Sequence, residues 1–314
     1  MGFAWFLSQK SEILNLYNHF VIKLKLYYDK TYMKFIAKLL IILTSFTVVS
    51  FADVEQVKDK FFSSIETFLD GSFEHTDFSI VSTEHTKPEI SIEIFKPLTE
   101  DESGLSFFQG SLFTHDGTRE TINLGFGKRI FSDDNNIMYG LNAFYDYEFD
   151  YDHSRASLGG EIRSSFLELN YNQYFSQSDS RTGKGGVAEE VLDGYDLEFG
   201  FQVPYIPSAT IYAKTFGFDA NSGNDFEGME YSTKLEVPNS GITVEAGHTD
   251  YDSHNDEWFF KLNFSLNKIN KDRAFISDEM FEKADVTDQK YNKVRRDNIM
   301  VKSGANFTVK AGGF

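Results

Sequence analysis

The stretch YDLEFGFQV, Tyr195 to Val203, divides into two unlike faces when every second residue is taken. Tyr195, Leu197, Phe199, Phe201 and Val203 fall on one side, and Asp196, Glu198, Gly200 and Gln202 on the other. An extended chain turns alternate side chains to opposite faces, so this is a strand with one greasy side and one hydrated side. The same alternation runs on and off from Phe78 to Leu266. Its apolar rows include Ile90-Ile92-Ile94, Ile122-Leu124-Phe126, Tyr139-Leu141-Ala143-Tyr145-Tyr147, Leu169-Tyr171, Ile242-Val244-Ala246 and Trp258-Phe260-Leu262-Phe264. A soluble sandwich would cover such rows with protein and commonly uses strands of about five or six residues. Segments of about ten residues, apolar on one face and polar on the other with aromatics near the ends, are what a tilted strand needs to cross an outer membrane. About twelve such segments can be counted, an even number suited to antiparallel closure.

The expected fold class is therefore all-β: a transmembrane antiparallel β-barrel of about twelve strands over residues 73–268. Leu197, Phe199, Phe201, Phe260, Leu262 and Phe264 are expected to face lipid, and Glu93, Asp146, Glu161, Asp196, Glu198, Glu236 and Glu245 the lumen. The tight connections are Ser164-Ser165-Phe166, Tyr205 to Ser208 and Asn239-Ser240, and the longest connection is Ser178 to Leu192. Short turns of such barrels face the periplasm and long loops the exterior. The stretch LTEDESG, 98–104, is long for a periplasmic turn on this scheme.

Ahead of the barrel, MKFIAKLLIILTSFTVVSFA begins at Met33 with Lys34 and Lys38, continues through apolar Leu39 to Val49, and ends on Ser50-Phe51-Ala52. That is the pattern of a cleavable signal peptide, 33–52, for export through the general secretory pathway. Its apolar run is shorter than the roughly 20 residues of a membrane-spanning helix. Residues 1–32 show no targeting logic and read as a gene-model extension. In 53–72 the residues Val54, Val57, Phe61, Phe62, Ile65 and Leu69 share one helical stripe, which predicts a short periplasmic amphipathic helix.

Composition excludes several function classes. A net charge of −18 argues against a nucleic-acid partner, which requires clustered cations. The absence of cysteine removes disulfides, thiolate metal sites and thiol catalysis. The segments Asp150-Tyr151-Asp152-His153 and Asp250-Tyr251-Asp252-Ser253-His254 could pair an imidazole with a carboxylate to activate water. Solvated acidic loop tips produce such pairs without chemistry, so no enzyme and no cofactor are expected. The loop DANSGNDFEG, 219–228, carries oxygen ligands but not the glycine and closing glutamate of a calcium loop, and no metal site is expected. Gly159-Gly160 reads as a close-packing or bending feature of a curved strand.

Three motifs stand in order: GLNAFYDYEF at 140–149, HSRASLGGEIRSS at 153–165 and LDGYDLEFG at 192–200. With the surrounding stretch from Gln109 to Phe175, they resemble the inverse autotransporter β-domain of the intimin and invasin adhesins, over roughly residues 73 to 302. The resemblance implies type V secretion through a twelve-stranded barrel whose last strand leads into a linker that returns through the pore and carries a passenger to the surface. On that pattern 269–303 is a linker, with ISDEMFEKA at 276–284 as a short helix and YNKVRRDNIMVKS at 291–303 as the pore-threading segment. Tyr291, Lys293, Arg295, Arg296, Asn298 and Lys302 are its site residues, a basic strand meeting acidic walls. A solvated periplasmic tail is the alternative. Where relatives carry immunoglobulin-like repeats, 304–314 reads as a vestigial passenger stub, and the family's periplasmic peptidoglycan-binding module is not found after Ala52.

The function expected is an outer-membrane translocation barrel, adhesin-related, that exports and anchors a C-terminal segment at the cell surface. A passenger-less channel or structural barrel is the alternative, with an outer-membrane hydrolase behind both. Expected partners are outer-membrane lipid and lipopolysaccharide, the barrel assembly machinery and periplasmic chaperones; no host or surface receptor is expected without a passenger. Phe314 could be read as the aromatic end of a closing barrel strand, but WFFKLNFSL at 258–266 alternates far better than FTVKAGGF.

Overall fold

The computed structural model describes residues 75–84, 87–115, 119–221, 223–238, 240–265, 275–281 and 285–304, all within the second of two compact units, Asp70–Phe314. The segments expected to form a signal peptide (33–52) and an amphipathic helix (53–72), and the expected stub after Gly304, lie outside the described residues. Among those described, the strands in chain order are β1 Thr76–Thr83, β2 Glu89–Asp101, β3 Gly104–His115, β4 Arg119–Phe131, β5 Met138–Glu148, β6 His153–Arg163, β7 Leu167–Ser176, β8 Arg181–Thr182, β9 Ala188–Val191, β10 Asp193–Gln202, β11 Ala209–Asp219, β12 Phe226–Glu236, β13 Ile242–Tyr251, β14 Glu257–Ser265 and β15 Lys302–Ser303.

Twelve of these close into a barrel in which each strand pairs with its neighbour, β10 follows β7, and β14 returns to β1. Every barrel pairing is antiparallel, and the seam aligns Phe78 with Phe264 and Ile80 with Leu262. Closure leaves no edge strand and satisfies the ladder hydrogen bonds internally, which a bilayer demands of any sheet that crosses it. The strand ending WFFKLNFS is thus the closing strand. The expected blemish at 98–104 also disappears, since β2 continues to Asp101 and the connection is only Glu102-Ser103. Asp101 accepts from the Ser103 amide at 2.9 Å to hold that turn.

The alternation sorts as the pattern of residues requires. Leu197, Phe199, Phe260, Leu262 and Phe264 are 40% to 49% exposed on the outer wall, whereas Glu93, Asp146, Glu161, Asp196, Glu198 and Glu245 are buried inside. Glu236 faces inward near a rim and is half-buried, 3.4 Å from Lys234. Phe201 is outward but half-buried. The interior is not uniformly polar, as the simple alternation suggests. Two aromatic clusters occupy it, one of Phe95, Leu105, Phe107, Phe131, Met138 and Phe144, the other of Tyr174, Leu192, Phe216, Phe218, Phe226 and Tyr251. Inward glycines make room for neighbouring inward side chains: a Cβ on Gly159 would come within 2.5 Å of the Asn142 amide oxygen and 2.6 Å of that of Asn172.

The end of the barrel where β1 begins and β14 finishes is the entry end, and the opposite end, bearing the long 177–192 connection, is the exit end. Outward residues at mid-strand and at the rims should respond differently to charge. Leu197→Arg is expected to destabilise the barrel by about 2–4 kcal/mol, and Glu227→Arg at the exit rim by about 0–1 kcal/mol, measured by urea unfolding in lipid vesicles.

Candidate functional site

The lumen holds the chain's own residues 285–303. Entry is set by a single 3-10 turn, Val286–Gln289, capped by the Asp285 side chain on the Thr287 amide. The Val286 amide donates to the Asn135 carbonyl in the β4–β5 turn at 3.0 Å, and Gln289 donates to the Ser164 carbonyl in the β6–β7 turn at 3.0 Å. The helix expected at 276–284 is not formed in its described part: Phe275–Phe281 makes bends instead. Its apolar residues Ile276 and Met280 stay exposed instead of packing on the protein, and an isolated segment that short does not hold a helix without packing.

From Lys293 to Asn298 the chain is extended and free of ladder partners, so its carbonyls must be met by side chains of the wall. Four of the six are: the carbonyl of Lys293 accepts from Arg163 at 3.1 Å, of Arg295 from Asn172 at 2.9 Å, of Asp297 from Arg155 at 2.6 Å and of Asn298 from Asn123 at 3.2 Å, and just before them that of Lys290 accepts from Arg129 at 2.5 Å. The Val294 amide donates to Gln109 and the Asp297 amide to the Tyr174 hydroxyl, both at the hydrogen-bonding distances of 2.9 and 2.7 Å.

Charge complementarity fixes the register. Arg295 forms a fork on Glu198, 2.5 and 2.8 Å, and reaches Glu245 at 3.0 Å while lying 3.7 Å over the Tyr212 ring. Arg296 grips both oxygens of Asp146 at 2.9 and 2.7 Å, with Ser157 and Asn298 alongside and the Phe144 ring 4.4 Å away. Lys293 meets Asp77 at 3.1 Å near the entry, and Tyr291 donates to Glu100 at 2.7 Å while stacking on His75 at 4.2 Å. Lys302 meets Glu148 at 2.5 Å at the exit. Val286 and Val294 complete the entry aromatic cluster and Val301 the exit one, so apolar contacts bracket the buried ion pairs.

Six residues singled out for threading thus share one path, and Asp146, Glu198 and Glu245 touch them directly. Glu161 instead binds Arg129 and Arg163, Asp196 accepts from Tyr174 and Asn172, and Glu93 accepts from Gln109. Sequence reasoning missed Arg119, Arg129, Arg155 and Glu148, all fully buried. Each sits at an inward position of its strand, so strand parity was the available signal. A polar cavity of ≈ 140 Å³ remains beside Arg295, lined in part by Glu168, Lys234, Lys261 and Asn263.

At the exit, β15 pairs with β9, and β9 with β8, while the Leu192 amide donates to the Val301 carbonyl at 3.0 Å. Gly304 has φ +78°, and a Cβ there would strike the Ala188 carbonyl. Beneath lies a chain of charges: Lys302 to Glu148, Glu148 to Arg119 at 2.8 Å, Arg119 to Glu189 at 2.6 Å, and His153 to Glu189 at 3.3 Å. Glu148, His153 and Glu189 have a spacing that could hold a metal, yet Arg119 and Lys302 already neutralise both carboxylates. His153 is therefore a buried strut of the exit and not part of a solvated tip, and His254 stacks on Phe226 at 4.1 Å. Glu189, in the loop beyond the barrel strands, is held down to about 2: burial pushes its pKa up, and hydrogen bonds from His153 and Arg119 with the charges of Arg119 and Lys302 outweigh it.

A closed twelve-stranded barrel with lipid-exposed aromatics and its own C-terminal segment in the lumen is an outer-membrane protein of the self-threading kind. The comparisons with known proteins agree. Residues 48–298 match the model of the inverse autotransporter β-domain, and the chain belongs to that family. It is 32% identical over 164 residues to intimin of Escherichia coli O127:H6 (strain E2348/69 / EPEC), covering 51% of this chain and 16% of that protein. It is 29% identical over 164 residues to intimin of Escherichia coli O111:H-, again 51% and 16%. A putative attaching and effacing protein homolog of Escherichia coli (strain K12) is 26% identical over 164 residues, 51% of this chain and 52% of that one. The chain thus matches only about a sixth of the length of these intimins. A solved structure from work on in-meso crystallisation of membrane proteins shares the fold, with TM-score 0.62 and 19% identity over 73% of this chain and 98% of that one.

Two outcomes are expected of the site. Asp146→Ala leaves the guanidiniums of Arg155 and Arg296 buried without their carboxylate and should cost about 3–5 kcal/mol in denaturant unfolding. The depressed carboxyl of Glu189 contributes stability that is complete above its ordinary value of 4.5 and lost as pH falls through about 2. Protection of the Leu192 amide from hydrogen exchange, corrected for intrinsic rates, is accordingly expected to decline progressively as pH falls from about 4.5 to about 2; protection unchanged across that window would contradict the assignment.

Proposed function

We propose that this chain is a translocation barrel that exports and anchors its own C-terminal segment at the cell surface, without enzymatic activity. The observation that carries this reading is the directional path of residues 285–303, which enter at the end holding both terminal barrel strands and leave beside the long 177–192 connection. Charged and hydrogen-bonding wall groups receive that path almost residue by residue, which favours a linker with a fixed register over a tail left in the periplasm. The signal-like run at 33–52 supports delivery through the general secretory pathway, and a barrel of this kind requires periplasmic chaperones and the barrel assembly machinery for insertion. Similarity to the intimins makes an adhesin-related passenger the natural cargo class.

A channel lacking a passenger is the second reading, favoured by the polar cavity beside Arg295. The two are separated by an epitope tag placed after Phe314. Surface labelling on intact cells is expected for display, and labelling only after the outer membrane is permeabilised would favour the channel. Deletion of 304–314 is expected to leave heat-modifiable barrel migration intact, because β14 already closes the sheet; loss of the folded band would reassign the closing strand.

A further inference from the structure

The short segment FISDEMF, Phe275 to Phe281, lies outside the lumen. Two main-chain bonds fasten it to the β10–β11 connection: the Tyr205 amide donates to the Met280 carbonyl at 3.0 Å, and the Ser277 amide donates to the Tyr205 carbonyl at 2.9 Å. Phe281 then stacks on Phe166 of the β6–β7 turn, centroids 5.1 Å apart, and meets Phe201 edge-on at 5.3 Å. Phe201 is the entry-end member of the outward row Tyr195, Leu197, Phe199, Phe201, so Phe281 adds one further ring to the apolar belt of the outer wall. The remaining apolar side chains of the segment are uncovered: Phe275 is 51% exposed, Ile276 69% and Met280 52%. Tyr205, to which the segment is tied, is itself 50% exposed. Asp278 and Glu279 are exposed between them.

We propose that Phe275–Phe281 is a lipid foothold: an interfacial hook that inserts Phe275, Ile276 and Met280 into the bilayer leaflet at the entry end while Asp278 and Glu279 stay in water. The occupant is the bilayer because the patch is continuous with the lipid-facing row through Phe201, and aromatic and aliphatic side chains at a barrel rim sit at the depth where interfacial belts form. An amphipathic surface segment binds in proportion to the apolar area it immerses, and main-chain ties to Tyr205 mean little further ordering is needed to immerse it. The foothold gives the linker a fixed point on the outer wall before Val286 turns into the barrel. It rests on the barrel being embedded in a bilayer.

The lack of native cysteine allows single-site labelling of the full-length protein in phosphatidylethanolamine–phosphatidylglycerol vesicles, with heat-modifiable migration certifying folding. A polarity-sensitive fluorophore on Ile276→Cys is expected to emit to the blue of the same probe on Asp278→Cys, and to be quenched more by lipid carrying a nitroxide near the headgroup than by lipid carrying it near the chain end. Phe275→Cys should repeat the result if the first variant folds poorly. Phe199→Cys, on the wall, is the reference and should be quenched by the deeper nitroxide. Water-like emission at position 276, or shielding without lipid quenching, overturns the foothold while quenching at 199 leaves the barrel intact. Absence of quenching at 199 overturns the bilayer placement itself.

Discussion

Arg295 and Arg296, adjacent in the chain, project from an extended backbone to opposite walls, and the rest of the structure is arranged around receiving them. Arg295 takes Glu198 from β10 and Glu245 from β13, whereas Arg296 takes Asp146 from β5. Neighbouring residues of an extended chain point opposite ways, so two successive cations can tie two faces of the lumen at once. That geometry explains why the carboxylates recur on the inward parity of strands far apart in sequence. Buried ion pairs seldom add much net stability because desolvation offsets their attraction. Their contribution here is register: a slip by one residue would present Val294 or Asp297 to a carboxylate.

The apolar contacts share the work unevenly. Val286 and Val294 near the entry and Val301 near the exit insert into rings of inward aromatics, supplying non-directional burial at both ends of a directional middle. At the exit the chain changes character again, joining β9 as an edge strand, and the charges of Lys302, Glu148, Arg119 and Glu189 pass from the linker to the wall and then to the loop. Linker, barrel and loop 177–192 are thereby one connected polar structure, consistent with a segment held in place rather than loosely accommodated.

Much of this was legible in the alternation. A period of two maintained through Trp258-Phe260-Leu262-Phe264 leaves only two faces to assign, and the lipid-facing and lumen-facing sets follow from parity alone. The strand β2 was harder, because Pro97 coincides with a register irregularity against β3 and the acidic run after it imitates a loop. The inward aromatics Phe95, Phe107 and Phe144 were hidden by the rule that polar faces look inward; their partners are valines of a linker distant in sequence. Arg119, Arg129 and Arg155 look like ordinary hydrated residues until strand ends are fixed, and the pairing of Glu198 with Arg295 spans a sequence separation that no local pattern encodes. Family resemblance supplied the threading direction, which composition alone could not.

Complementary charge between linker and wall is the central claim, and charge reversal with rescue tests it most directly through single-channel conductance in planar bilayers. Arg295→Glu alone is expected to conduct more than the parent, since Glu198 and Glu245 repel the new carboxylate. Adding Glu198→Lys and Glu245→Lys to the same chain is expected to return conductance toward the parent level. A parent and single variant that conduct alike, or a triple variant as open as the single one, would contradict the account.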